Sequence, residues 1–202
     1  MRGLFNYDGP AFRFFSKVAD CLILSLLWLV FSLPLITMGA SFTALYYAVY
    51  KLRRAEDGLW TAFWHGFKSN FKQATVLWLI LLAVCCVLGM SFYSAYLLLE
   101  VGKMHVMFLI LLALMAAAVV TWGIWLFPCV ARFENTTRNF LKNGAGIALF
   151  HLYWSFCLFV IFCVTVYLSV KLPMGVLLFP AAGTWVSSVL MEKVFTKYVD
   201  EA

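Results

Sequence analysis

The chain has 202 residues, 65% of them hydrophobic and only 12% charged, with a formal net charge of +6; its mean hydropathy is +0.95. Soluble domains lie nearer half apolar and a quarter charged, so a soluble fold of this length could not hide so much apolar surface. The composition points to an all-α, polytopic membrane protein, and short basic segments between apolar runs fit orientation in a bilayer better than nucleic-acid binding.

The first 17 residues read as a cytoplasmic or interfacial tail, with Phe12, Phe14 and Phe15 at the interface and Arg2, Arg13 and Lys17 as basic anchors. MRGLFNYDGPAFRFFSKVAD leads into a run too long for a secretory h-region and carries no small-x-small cleavage site, so no cleaved leader is expected. No lipidation motif is seen.

Residues 18–50 come next, with Asp20 as their only charge. As one helix they would extend about 50 Å, far more than a hydrocarbon core of about 30 Å needs. The stretch SLPLITMGAS, residues 32–41, offers a turn. Pro34 would stop the first helix, Gly39 would give backbone freedom, and Thr37 or Ser41 would cap the next helix. If the run is a hairpin, thirteen of the fifteen basic residues share one side of the membrane; if it crosses once, the split is ten to five. The positive-inside rule prefers the hairpin, with its turn near the outer face and both termini cytoplasmic. The expectation is six membrane helices; the alternative is five, with the first long and kinked. Asp20 is expected to pair with Lys17 or Arg13 at the interface.

Residues 58–72 read as an interfacial amphipathic helix. In GLWTAFWHGFKSNFKQ, Trp60, Phe63, Trp64, Phe67 and Phe71 recur on one helical face. His65, Ser69 and Lys72 fall on the other side, with Lys68 at its edge. A basic helix with Trp and Phe on its apolar face belongs in the membrane interface. It serves as an anchor, a docking surface for a partner, or both, and Trp60, Trp64, Phe67, Lys68, Asn70 and Lys72 are the candidate contact residues.

Spans are then expected over residues 73–99, 104–130, 144–170 and 172–191, with a cytoplasmic tail over 192–202. The first three runs hold 27 residues each and the last 20, each enough to cross at about 1.5 Å per residue. Pro180 and Gly183 favour a kink in the last. Asn70, Phe71 and Lys72 are weakly echoed by Asn139, Phe140 and Lys142, which suits a shared grammar of cytoplasmic helix starts more than a duplicated fold.

The chemistry is sparse. No acidic or basic side chain lies near the middle of the last four expected spans, whereas coupled carriers usually place an ionisable group there. His65, His105 and His151 lie in separate segments with no second ligand at helical spacing. No phosphate loop and no nucleophile with a matched base is present. The six cysteines lie within or at the edges of apolar runs and read as small buried residues. No catalytic residue, metal or cofactor is expected. Pro34, Pro128 and Pro180 interrupt apolar runs, which either lines a substrate path or shapes a tightly packed bundle.

Two stretches resemble a known family. GLFNYDGPAFRFFSKVADCLILSLLWLVFSLPLITMGASFTALYYAVYKL looks like the N-terminal signature of the YesL-like membrane proteins, and FWHGFKSNFKQATVLWLI continues it in register. Together they cover about the first 80 residues; the later spans fit in length and spacing. Ser25 stands where an Asn is expected, which keeps a polar group for a helix–helix hydrogen bond. The resemblance implies a bacterial cytoplasmic membrane and a family of unknown function. Its members tend to be encoded beside ABC importers for sugars and oligosaccharides. It therefore implies a non-enzymatic accessory subunit of such an importer, with permease subunits as partners. The alternative, motivated by the Pro and Gly breaks and by Ser32, Thr37, Ser41 and Thr43 around the first turn, is an autonomous small transporter or channel for a sugar or small solute, working as a homo-oligomer.

Overall fold

The computed structural model describes residues 10–100, 102, 105–172 and 174–199, with side chains for the same residues apart from 10–14 and 199. The expectations for Arg2 and Lys103 lie outside the described residues, and those for Phe12, Arg13 and Phe14 outside the described side chains. Within them the chain forms seven α-helices and no strand: α1 (Pro10–Ser32), α2 (Met38–Arg53), α3 (Leu59–Glu100), α4 (Val106–Arg132), α5 (Thr137–Phe150), α6 (Leu152–Lys171) and α7 (Gly175–Val199). Five are long and apolar enough to cross a membrane: α1 from Phe15, α3, α4, α6 and α7. Helix α2 has 16 residues, about 24 Å, short of the roughly 30 Å of a hydrocarbon core. Large apolar side chains stand exposed along the five, among them Leu26, Met90, Met107, Phe156 and Val186. Lipid tails accept such a surface and water does not.

The first apolar run does turn. Helix α1 stops at Ser32, a short 3-10 turn covers Leu35–Thr37, and α2 starts at Met38. Helix α2 folds back on α1, with the Trp28 and Phe42 rings 5.2 Å apart. Pro34 stands exposed at the corner, and its carbonyl accepts from the Thr37 N–H at 2.9 Å.

The details differ from the expectation. Gly39 supplies close approach, not backbone freedom: it is buried where α2 crosses α3, and a Cβ there would lie 2.5 Å from Trp78 Cβ. Thr37 and Ser41 do not cap α2 with their side chains. Thr37 Oγ1 donates to the carbonyls of Phe31 and Pro34, and Ser41 Oγ donates to that of Thr37. The turn also lies well short of the far end of α3. Trp78 Nε1 donates to the Leu35 carbonyl at 2.7 Å, and α3 runs on to Glu100, roughly 33 Å further. Asp20 forms no ion pair with Lys17 among the described residues.

The expected interfacial helix and the span after it are one helix, α3, of 42 residues and about 63 Å. No residue between Asn70 and Ala74 breaks a helix. The change from charged to apolar there alters what surrounds the helix, not its backbone. The expected span over 144–170 is instead broken at His151, which ends α5 and precedes α6. Pro128 and Pro180, by contrast, sit inside continuous helices.

Proline 180 lacks an N–H, so α7 loses a backbone bond in its second turn. Helix α1 answers with Ser25, which is fully buried. The Ala181 N–H donates to Ser25 Oγ at 3.0 Å, and that hydroxyl donates on to the Leu178 carbonyl at 3.4 Å. The polar position expected to bond across helices does so, on the backbone of α7 beside Pro180. Ser25→Ala should lower stability by about 1 kcal/mol, the scale of buried hydrogen bonds between membrane helices. Thermal unfolding in detergent checks this; an unchanged midpoint would mean that the bond contributes nothing.

Candidate interfacial docking site

The six candidate contact residues all lie on the first third of α3, and the structure divides them. Trp60 and Trp64 are 58% and 44% exposed. Their rings stack almost parallel, 6.4 Å apart with a 4° interplanar angle. Phe67 is half-buried and stacks on Trp64 at 6.1 Å. Lys68 and Lys72 are exposed. Asn70 turns away from any partner: its amide donates to the Gly66 carbonyl and to Ser69 Oγ, both at 3.1 Å.

The helix is held from its other side. Ala62, Phe63 and Gly66 are buried, and a Cβ at Gly66 would lie 2.8 Å from Tyr47 Cβ on α2. Phe63 therefore belongs to the core and not to the apolar outer face where its spacing put it. Phe31 of α1 closes the cluster, with its ring 5.7, 5.8 and 5.0 Å from those of Phe63, Trp64 and Phe67. An aromatic strip fixed this way loses little side-chain entropy on binding, which is what a docking surface requires.

Trp64, Phe67, Phe71, Lys68, Lys72 and Gln73 line an open groove of about 630 Å³ together with Ser69. Gln73 Nε2 donates to the Asn135 carbonyl at 2.9 Å, tying the groove to the loop before α5. At the other end of this surface Lys51 pairs with Glu56 at 2.6 Å. That hydrogen bond holds the Glu56 carboxyl below its ordinary range and raises the Lys51 ammonium.

A polar node that no motif in the sequence announces joins α2, α4 and α7. Tyr46 Oη donates to Glu192 Oε1 at 3.0 Å, and Arg132 Nε lies 3.7 Å from the other carboxylate oxygen. The Arg132 guanidinium sits 4.6 Å from the centre of the Tyr50 ring, and Arg53 donates to Ser188 Oγ at 2.9 Å. Its members come from three distant segments, so no local spacing marks them.

Of the hydroxyls near the first turn, Ser32 Oγ is buried with no hydrogen-bond partner among the described residues. Thr37, Ser41 and Thr43 all donate to nearby backbone carbonyls. Among the described residues no three His, Cys, Asp or Glu side chains converge to hold a metal.

Residues 21–92 match the model of a family described as a protein of unknown function, DUF624. That family is the YesL-like family, and the match covers 72 of the 202 residues. The matched stretch holds about half of α1, all of α2 and most of α3, including the docking strip and its groove. No curated protein and no solved structure matches the chain.

Proposed function

We propose that the chain is a non-enzymatic accessory subunit of a carbohydrate or oligosaccharide ABC importer in a bacterial cytoplasmic membrane, with both termini cytoplasmic. It docks permease subunits through Trp60, Trp64 and Phe67, with Lys68 and Lys72 beside them. The observation that carries the docking is the exposed, stacked Trp60–Trp64 pair, on a helix continuous with a candidate span. Aromatic anchors on rigid backbone are the residues that dominate binding surfaces. The importer context comes from the family resemblance.

The rival reading, an autonomous transporter or channel, drew on helix breaks at three prolines and on hydroxyls near the first turn. Helices α4 and α7 run through Pro128 and Pro180, and Thr37, Ser41 and Thr43 are bonded to nearby backbone carbonyls, whereas α1 does stop before Pro34 and Ser32 Oγ has no hydrogen-bond partner among the described residues.

Co-purification from native membranes in mild detergent, followed by mass spectrometry, tests the proposal. Permease subunits should be recovered in stoichiometric amount. Trp60→Ala/Trp64→Ala and Lys68→Glu/Lys72→Glu should each lose them while membrane levels of the protein stay normal. Unchanged recovery in both double variants would remove the docking surface. Recovery of the chain alone as a defined oligomer, with sugar flux in liposomes, would replace the accessory role by the transporter.

A further inference from the structure

Lys68 and Lys72 are one helical turn apart, so their side chains stand on the same stripe of α3, about 5–6 Å apart at Cβ. Both are exposed, and among the described residues neither makes an ion pair. Two free ammonium groups at this spacing can grip one phosphate. They line the groove together with three aromatic rings, those of Trp64, Phe67 and Phe71.

Beyond the lysines the stripe turns aliphatic. Val76, Leu79 and Ile80 continue it toward the far end of α3 and are 47%, 45% and 36% exposed. The helix thus offers, in order, a basic pair flanked by aromatic rings and then aliphatic side chains, over roughly 18 Å. That is the order of parts in a phospholipid, from headgroup to acyl chain. The surroundings add positive charge. Arg138 and Lys142 are exposed on α5, whose preceding loop is held against Gln73, and Glu134 is the exposed acid there.

The geometry points to a site for an anionic phospholipid, its phosphate between Lys68 and Lys72 and its acyl chains along Val76, Leu79 and Ile80. A soluble anion would use the lysines and leave the aliphatic stripe idle. An acidic protein segment would not require a stripe that runs on into a candidate membrane span. The inference shares Lys68, Lys72 and the groove's aromatic rings with the docking proposal, but it is tested on the chain alone, so the two can fail separately.

The test is native mass spectrometry of the full-length protein in mild detergent, mixed with equal amounts of phosphatidylglycerol and phosphatidylcholine bearing identical acyl chains. At low salt one phosphatidylglycerol should be retained with a preference on the order of thirtyfold, the effect of two lysines near a headgroup. The preference should shrink as salt rises. Lys68→Gln/Lys72→Gln should bring it near parity, and Lys68→Arg/Lys72→Arg should keep it; both pairs are exposed, so the fold should tolerate them.

Equal retention of the two lipids, or a preference that survives Lys68→Gln/Lys72→Gln, would overturn the site. Displacement of the lipid by millimolar inorganic phosphate would overturn it in favour of a soluble anion. Protection of Lys68 and Lys72 by a co-purifying protein, with no lipid retained, would assign the groove to protein docking instead.

Discussion

Gly39→Ala is expected to destabilise the fold by about 2 kcal/mol, although alanine is the better helix former. Two opposing effects decide the sign. Alanine in a helix gains about 1 kcal/mol over glycine. At this position, however, the new Cβ would lie 2.5 Å from Trp78 Cβ, 2.7 Å from the Ala74 carbonyl oxygen and 3.0 Å from Phe127 Cε1. Two of those atoms belong to the backbone of α3 or to the stem of a side chain, so they move only if the helix moves. Overpacking of that kind costs about 1–3 kcal/mol and at times more, and here the upper end applies. A chain of this length should lose roughly 4–8 °C in its unfolding midpoint. Gly89→Ala is the control, because a Cβ there meets nothing within 4 Å. It should leave the midpoint unchanged or raise it slightly. If Gly39→Ala behaves like Gly89→Ala, the close crossing of α2 and α3 is wrong.

That crossing also marks where the sequence could be read and where it could not. Pro34, within the ten residues 32–41, signalled a turn, because proline acts on the local backbone and its effect is visible without a partner. The purpose of Gly39 was not visible, because it is set by Trp78 and Ala74 on another helix. Amphipathic spacing placed Lys72 opposite the aromatic face, with Lys68 at its edge; both are exposed, but they line one groove with Trp64, Phe67 and Phe71. The same spacing put Phe63 with the tryptophans, whereas α2 covers it. A helical face of five aromatic residues is wide enough to meet both the core and the outside, and periodicity cannot say where the boundary falls.

The two misjudged boundaries share a cause. The cut expected near residue 72 was drawn at a change in charge, and the continuity expected through residue 151 at a lack of it. Neither signal acts on the backbone. Helix α3 continues past Lys72 because nothing in the chain stops it. The break after Phe150 is bridged by hydrogen bonds that begin on a distant side chain, Trp125, which can be removed.

Trp125→Ala should be the most damaging single substitution among the buried aromatics, at about 3–5 kcal/mol. Trp125 is fully buried, with its ring 5.8 Å from that of Phe195 on α7. Its Nε1 donates to Ser155 Oγ at 2.9 Å, and Ser155 donates to the Ala148 carbonyl at 2.9 Å. Ala148 lies in the last turn of α5 and Ser155 in the first turn of α6, so this chain of two bonds spans the break and supplies the Ala148 carbonyl with a donor. Truncation would open a cavity among α4, α6 and α7 and leave Ser155 with one partner fewer. Trp125→Phe separates the two losses: it keeps most of the volume and drops the donor, so it should cost nearer 1 kcal/mol. Ser155→Ala should cost more in the wild type than in the Trp125→Phe background, since the two residues share a bond. Unfolding midpoints of the four proteins in one detergent provide the cycle. Strict additivity would show that the bond does not hold the break. A Trp125→Ala protein as stable as the wild type would show that α4, α6 and α7 do not meet at this residue.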